Sequence, residues 1–255
     1  MKKILLILLT IGLIAGLLVG CSGVTPLPGE GEGEGEGEEE VARVVLVEAF
    51  TQSSCANCAI AEPIIEELAG EYERSEVIFV EERAYGTYSL DEIRDRYNWY
   101  LPSSADKGDT PNILFNGFNT PHVNGSSNYY TIKSKINLEL AKDAKIKITA
   151  TRNSDSTFTT TISGTIENIS TSTLDNLVIN GMTFRDRGQT GLKYSVTDIL
   201  EEQKETLTTL EPGDIHNFSF IITDIGWEAN NFHGVIFVQD TDSSKKEVLQ
   251  SFYVD

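Results

Sequence analysis

Two textures of hydrophobic patterning follow one another along the chain. From Val41 to Phe50 the run VARVVLVEAF is nearly continuous in apolar residues and rich in valine, which predicts a buried strand. The segment AIAEPIIEELAGEYER then places Ile60, Ile64, Ile65 and Leu68 at helical spacing, with Gly70 near the helix end. EVIFVEE (76–82) predicts a second short strand. Ser89 and Glu92 have the spacing of a capping box, and Ile93, Tyr97 and Tyr100 follow at three- and four-residue steps. A helix is therefore predicted over about 90–100, stopped by Pro102. TPNILFNGFNTPHV supplies a strand at Ile113–Phe115, an Asn116-Gly117 turn and a return strand. Lys133–Ala144 reads as a helix. The order β-α-β-α-β-β-α predicts an α/β unit over 41–144.

Beyond Ala144 strict alternation takes over. KIKITAT, TFTTTISGTIEN, LDNLVINGMTF, HNFSFIIT, HGVIFVQD and EVLQSFYV are rich in Thr, Ile and Val and mostly separated by turn residues. Only Asp198–Glu205 has a helical look. Such spacing predicts an all-β, immunoglobulin-like antiparallel sandwich over 145–255. Trp227 and Phe232 read as its core or edge aromatics. No catalytic signature stands out in this half, which is expected to space the first unit from its surroundings or to bind a partner.

The first 40 residues have a different character. Lys2 and Lys3 precede an apolar run from Ile4 to Val19, a basic start and short core that predict a secretory signal over 1–20. The run is shorter than the ~20 residues that span a bilayer. Its ending, Leu18-Val19-Gly20-Cys21, resembles the bacterial lipoprotein box, which implies lipidation of Cys21 and an extracytoplasmic, membrane-anchored protein. Residues 21–40 run into alternating Gly and Glu, with nothing to build a core, and predict a disordered tether.

Charge narrows the function further. The 255-residue chain carries a formal −19, and no Lys/Arg cluster interrupts it, so a nucleic-acid partner is excluded. Removing residues 1–40, with two lysines and seven glutamates, leaves 18 basic and 32 acidic residues, net −14. His122, His216 and His233 are far apart in sequence and form no ligand-spaced pair, and a single C-x-x-C falls short of a zinc site's four ligands. No metal and no cofactor are expected.

The candidate chemistry lies in Cys55-Ala56-Asn57-Cys58, between the first strand and the first helix. Taken alone, the pair admits a structural staple, half a metal site or a redox dithiol. A cysteine at a helix N-terminus meets unsatisfied backbone N–H groups and the positive end of the dipole, which favour thiolate. Cys58, one turn later, lies on the same side. Cys55 would then be the nucleophile and Cys58 the resolving thiol of disulfide exchange.

Pro63, five residues past Cys58, and Thr110-Pro111 before a strand and hairpin complete a pattern that resembles the thioredoxin fold. The resemblance implies an α/β thioredoxin-like domain over 41–144. It makes Thr110 and Pro111 a substrate-docking edge for an extended peptide. It also puts Glu48 roughly where many thioredoxins hold a buried acid beneath the dithiol, a possible proton shuttle, although the loop to Cys55 is one residue longer here. Ser54 stands where the family usually has tryptophan, and Ala56-Asn57 where it has Gly-Pro. The whole layout also resembles bacterial surface lipoproteins with an F-T-x-x-x-C-x-x-C opening, here Phe50 to Cys58. Together these imply a tethered thiol–disulfide oxidoreductase whose partners are protein disulfides, a redox donor and the membrane. The alternative is a binding or adhesion lipoprotein with a permanent Cys55–Cys58 disulfide.

Overall fold

The computed structural model describes residues 41–125, 128–154, 158–223 and 226–255. The predicted signal, Cys21 and the Gly/Glu tether lie outside the described residues. The valine-rich run becomes strand β1 (Val45–Gln52), buried along all but its last residue. Helix α1 (Cys58–Ala69) crosses over to β2 (Val77–Tyr85), which runs parallel to β1 with Val47 opposite Phe79. Then come α2 (Asp91–Tyr100), the short α3 (Ser104–Lys107), the hairpin β3 (Asn112–Phe115) and β4 (Thr120–Asn124), and α4 (Tyr129–Leu140).

Strand β1 is continuously apolar because both its faces are covered. Val45, Val47 and Ala49 pack with Ala61, Ile65 and Leu68 of α1 and with Ile132 and Ile136 of α4. Leu46 and Phe50 face the other way, onto Ile93, Tyr97 and Tyr100 of α2. Two local expectations shift. The Ser89 capping box does not form, since Leu90 occupies the N-cap without a side-chain bond. Helix α4 starts earlier than predicted because the Asn128 side chain accepts the Thr131 N–H.

The second half adds β5 (Ile146–Ser154), β6 (Thr159–Asn168), β7 (Leu174–Arg185), β8 (Ser195–Ile199), β9 (Glu205–Leu210), β10 (Ile215–Thr223), β11 (Phe232–Asp240) and β12 (Val248–Val254). Asp198–Glu205 is thus the end of one strand, a turn and the start of the next, not a helix.

These strands correct the expected fold class. The sequence predicted an α/β thioredoxin-like domain followed by an all-β immunoglobulin-like sandwich. Instead a single mixed sheet of nine strands runs through both halves, in the order β12-β11-β7-β8-β2-β1-β3-β4, with β9 on β7. The junction is β8 alongside β2, where Ser195 pairs with Glu81 and the Glu81 N–H donates to Tyr194 O at 2.8 Å. Physically, β2 needs a neighbour on its outer edge. Its apolar face is completed by Phe184, Val196, Ile199, Val235 and Phe237 of the second half. Only β10-β6-β5 form a separate sheet, whose Phe218, Phe220 and Ile222 pack against Ile179, Ile236 and Val238 of β7 and β11.

Two further ties join the halves. In the β3–β4 turn, Phe118 N–H donates to Lys245 O at 2.7 Å, and Asn116 O accepts from Val248 N at 3.2 Å. Gly117, at φ +68°, leaves room for this approach, since a Cβ there would lie 2.1 Å from Lys246 O. At the start of the fold, buried Arg43 donates to Glu247 Oε1 at 2.9 Å and to the carbonyls of Val248 and Leu249 at 3.1 and 3.3 Å.

Candidate functional site

The loops at the C-terminal ends of β1 and β2 converge on the two cysteines. Ser53 N–H donates to Tyr85 O at 3.1 Å, and Thr87 N–H donates to Ser53 Oγ at 3.0 Å. Gly86, at φ +93°, gives the Ser53 side chain its space. Cys55 and Cys58 form a disulfide across the first turn of α1. Cys58 is 1 % exposed, whereas Cys55 is partly open to solvent. Asn57 is the N-cap residue but its side chain caps nothing. Cys55 Sγ instead accepts the Cys58 N–H at 3.0 Å, taking one of the orphan donors of the helix start.

Of the two predicted docking residues, Thr110 meets the disulfide. Thr110-Pro111 is a cis peptide, and Thr110 Oγ1 lies 3.1 Å from Cys55 Sγ, its hydroxyl the donor while the sulfurs are bonded. Asn112 steadies this loop from below, donating to Tyr97 O at 2.9 Å (the phenol oxygen) and to Lys107 O at 3.0 Å. Beside Cys55 opens a cleft of about 500 Å³. Gln52, Tyr85, Tyr97, Lys107, Asp109 and Thr110 contribute to its walls. Burial raises the Tyr97 phenol to about 12.

Glu48 does not join this site, a correction to the shuttle expected of it. It shares the face of β1 that carries Leu46 and Phe50, under α2, while α1 and Cys58 pack on the opposite face. There Arg96 Nε donates to Glu48 Oε1 at 2.5 Å and Tyr100 OH donates to Oε2 at 2.9 Å. Gln239 of β11 closes the network, donating to Tyr100 OH at 2.7 Å and accepting from Arg96 Nη1 at 3.2 Å. Side chains alternate along a strand, so the one extra loop residue before Cys55 moves the acid to the far face.

Two buried acids lie on the α1 side of the sheet, Glu62 of α1 and Glu81 of β2, and the sequence reading missed them. Burial raises Glu81 to about 8, with Tyr194 N–H bonded to its Oε2 at 2.9 Å. Burial also raises Glu62, against the pull of Arg83, whose Nη2 lies 3.2 Å away. Glu62 follows Cys58 by four residues, a helical spacing that was readable. Arg83 and the β7–β8 loop around it were not.

The histidines stay apart. His122 packs edge-on against Phe118, His216 contacts Glu205, and His233 contacts Tyr253. Among the described residues no three His, Cys, Asp or Glu side chains are grouped to hold a metal ion. No described helix is long and apolar enough to cross a membrane.

No protein-family profile matches the chain, and no curated protein matches it. Among solved structures, HBP35 of Porphyromonas gingivalis is similar over 83 % of this chain and 74 % of its own, with a TM-score of 0.61 and 14 % identity. At that identity the likeness shows a shared fold. A domain of the outer membrane lipoprotein Omp28 from Porphyromonas gingivalis aligns with 44 % of this chain and 88 % of its own, at 16 % identity. Its TM-score of 0.32 is too low to carry an argument.

Proposed function

We propose that the protein is a membrane-tethered, extracytoplasmic thiol–disulfide oxidoreductase acting on protein disulfides. The observation that carries this reading is the Cys55–Cys58 disulfide at the N-terminus of α1, with Cys55 opening on the cleft beside Thr110. The lipoprotein box at Cys21 and the tether after it support the anchored, extracytoplasmic setting. The partly exposed sulfur is the one an incoming thiol or disulfide reaches, and the buried one is held a helical turn away to resolve the adduct. Once reduced, Cys55 has the Cys58 N–H, the Thr110 hydroxyl and the helix dipole to stabilise its thiolate.

In the reducing direction the Cys55 thiolate attacks a substrate disulfide, forming a mixed disulfide and expelling one substrate thiolate. Cys58 then attacks Cys55 Sγ, the Cys55–substrate bond breaks, and the second substrate thiolate leaves. The substrate gains two electrons and the dithiol becomes the disulfide. Thr110 and Pro111 would hold the substrate backbone alongside.

Cys58→Ser, expressed with its tether in a bacterial envelope, tests this. Mixed disulfides through Cys55 that dissolve on reduction are the expected result. If none form, and the wild-type disulfide resists thioredoxin-range reductants, the bond is a staple and the chain a binding module.

A further inference from the structure

We propose that the cleft between α2 and the strands of the second half is a binding site for a neutral pyranose sugar. The site is separate from the dithiol, and the inference does not rest on the oxidoreductase reading.

The walls of this cleft come from α2, β7, β9, β11 and the turn between β8 and β9, and it holds about 590 Å³. None of its lining residues is shared with the cleft beside Cys55. Small-molecule sites run to ~300–1,000 Å³ and favour the joints between structural units.

Arg96, Asn180 and Gln239 are buried polar residues of the lining, and each is held in place. Arg96 is bonded to Glu48, Gln239 and Tyr100, with its guanidinium 4.9 and 4.8 Å from the ring centres of Tyr100 and Phe237. Asn180 donates to Glu201 Oε1 at 3.0 Å and accepts the Gly181 N–H at 2.7 Å. Gln239 donates to Tyr100 OH and to Lys246 O, both at 2.7 Å. These bonds leave spare capacity: a second N–H on the Asn180 amide, one on each Arg96 Nη, and a lone pair on Gln239 Oε1. Fixed groups with bonds still to make are a preorganised polar surface.

The surrounding chemistry selects the ligand. Glu92, Asp95 and Glu201 disfavour an anion, while Arg96 and Lys204 disfavour a cation, Lys204 lying 2.6 Å from Glu201. A wholly apolar ligand would strip water from the buried polar groups without replacing its bonds. Hydroxyls do replace them, since each both donates and accepts. The aromatic surface is Trp99, 36 % exposed, whose electron-rich ring suits the C–H face of a sugar. Lys246 steadies that indole, donating to Trp99 O with its Nζ 4.5 Å from the ring centre. An uncharged ring with hydroxyls on its edge and C–H groups on its face meets all these conditions.

The experiment uses the full chain with its disulfide intact. Fluorescence is selective, because of the two tryptophans Trp227 is only 3 % exposed and Trp99 lines the cleft. The probes are glucose, galactose, N-acetylglucosamine, maltose, cellobiose and lactose, with glucuronate and glucosamine as charged counterparts. At least one neutral sugar should saturate the signal with a Kd of about 1 mM or tighter, and bind better than either charged one. Trp99→Ala should weaken that binding about tenfold by calorimetry, for want of the ring. Should the variant not fold, the Trp99 indole N–H resonance of the wild-type chain decides, since it must shift with the same sugar. A disaccharide that binds more tightly than its monosaccharide marks a glycan chain as the source, and equal affinity marks a free sugar. No saturation by any neutral sugar, tighter binding of a charged counterpart, or binding that leaves Trp99 unaffected overturns the assignment.

Discussion

Arg96 of α2 and Glu48 of β1 form a buried ion pair, Nε to Oε1 at 2.5 Å, on the face of the sheet turned away from the dithiol. The pair is tied through Tyr100 and Gln239 into β11, so it belongs to the joint between the halves of the chain. Arg96→Met removes the counter-charge of a fully buried carboxylate. The expected loss is about 3–5 kcal/mol in denaturant unfolding, with the disulfide chemistry of any folded fraction unchanged. A loss under ~1 kcal/mol would show that the pair contributes little.

Glu82 is fully buried in the same apolar layer, its carboxyl beside that of Glu48. Burial and the neighbouring Glu48 push it well above the usual carboxyl range. A buried acid held beside a second acid is a cost that a thioether of similar length avoids. Glu82→Met should stabilise the fold by about 1–3 kcal/mol. Because the raised acid weakens the fold as pH rises, the gain should be larger in mild alkali than in mild acid, read as denaturation midpoints.

Glu81 predicts the shape of the stability curve. With a folded value of about 8 against 4.5 ordinarily, the folded chain holds a proton that the unfolded chain has already lost. Its contribution is whole below about pH 4.5 and is lost as pH rises through about 8. Thermal melts should decline across that window. Glu81→Gln, which keeps an acceptor for Tyr194 N–H, should flatten the decline, and an unchanged slope would argue against the shift.

Gly117→Ala tests the tie between the two turns. The added Cβ meets the Lys246 carbonyl at a positive φ, so the variant should lose about 2–4 kcal/mol by circular dichroism in denaturant. The same change at Gly213, also at positive φ but with open space around its Cβ position, should cost only about 1 kcal/mol.

A chain ending at residue 144 should not fold on its own. It would bare the outer edge of β2 and the layer of Leu46, Ile78 and Val80 that Phe184, Val196 and Phe237 cover. Insolubility, or a spectrum without cooperative melting, is the expected outcome. A stable, soluble fragment would mean that the two halves are independent after all.

These residues show what a sequence can and cannot display. Cys55, Cys58, Thr110 and Pro111 were legible because local motifs mark them, and the structure brings Thr110 against Cys55. The hairpin was legible because Asn116-Gly117 supplies both positive-φ residues of its turn. The fold class was not. Alternation in β7, β8 and β11 shows that one face is buried, but not which strand lies alongside. The joint of β8 to β2 is a pairing across 114 positions, between Glu81 and Ser195. Glu48 went astray for a smaller reason, a single loop residue in a period of two. Glu62 sat in plain view on its helix, but its burial depends on Arg83 and Gly191, and no local pattern links those to it.

Arg43 has one more consequence, a mechanical one. It stands where the chain enters the fold, two residues before β1, while the disulfide follows the other end of that strand, about 25 Å away at ~3.3 Å per residue. A pull on the chain ahead of Val41 would reach first the Ala42 carbonyl, which accepts from Gln250 Nε2 at 2.9 Å, and then the guanidinium. Its bonds to Glu247, Val248 and Leu249, together with Gln250 on the Val44 N–H, pass that load sideways into β12. Strand β1 need not slide. A protein hauled by one end could then keep the geometry at its far end undisturbed.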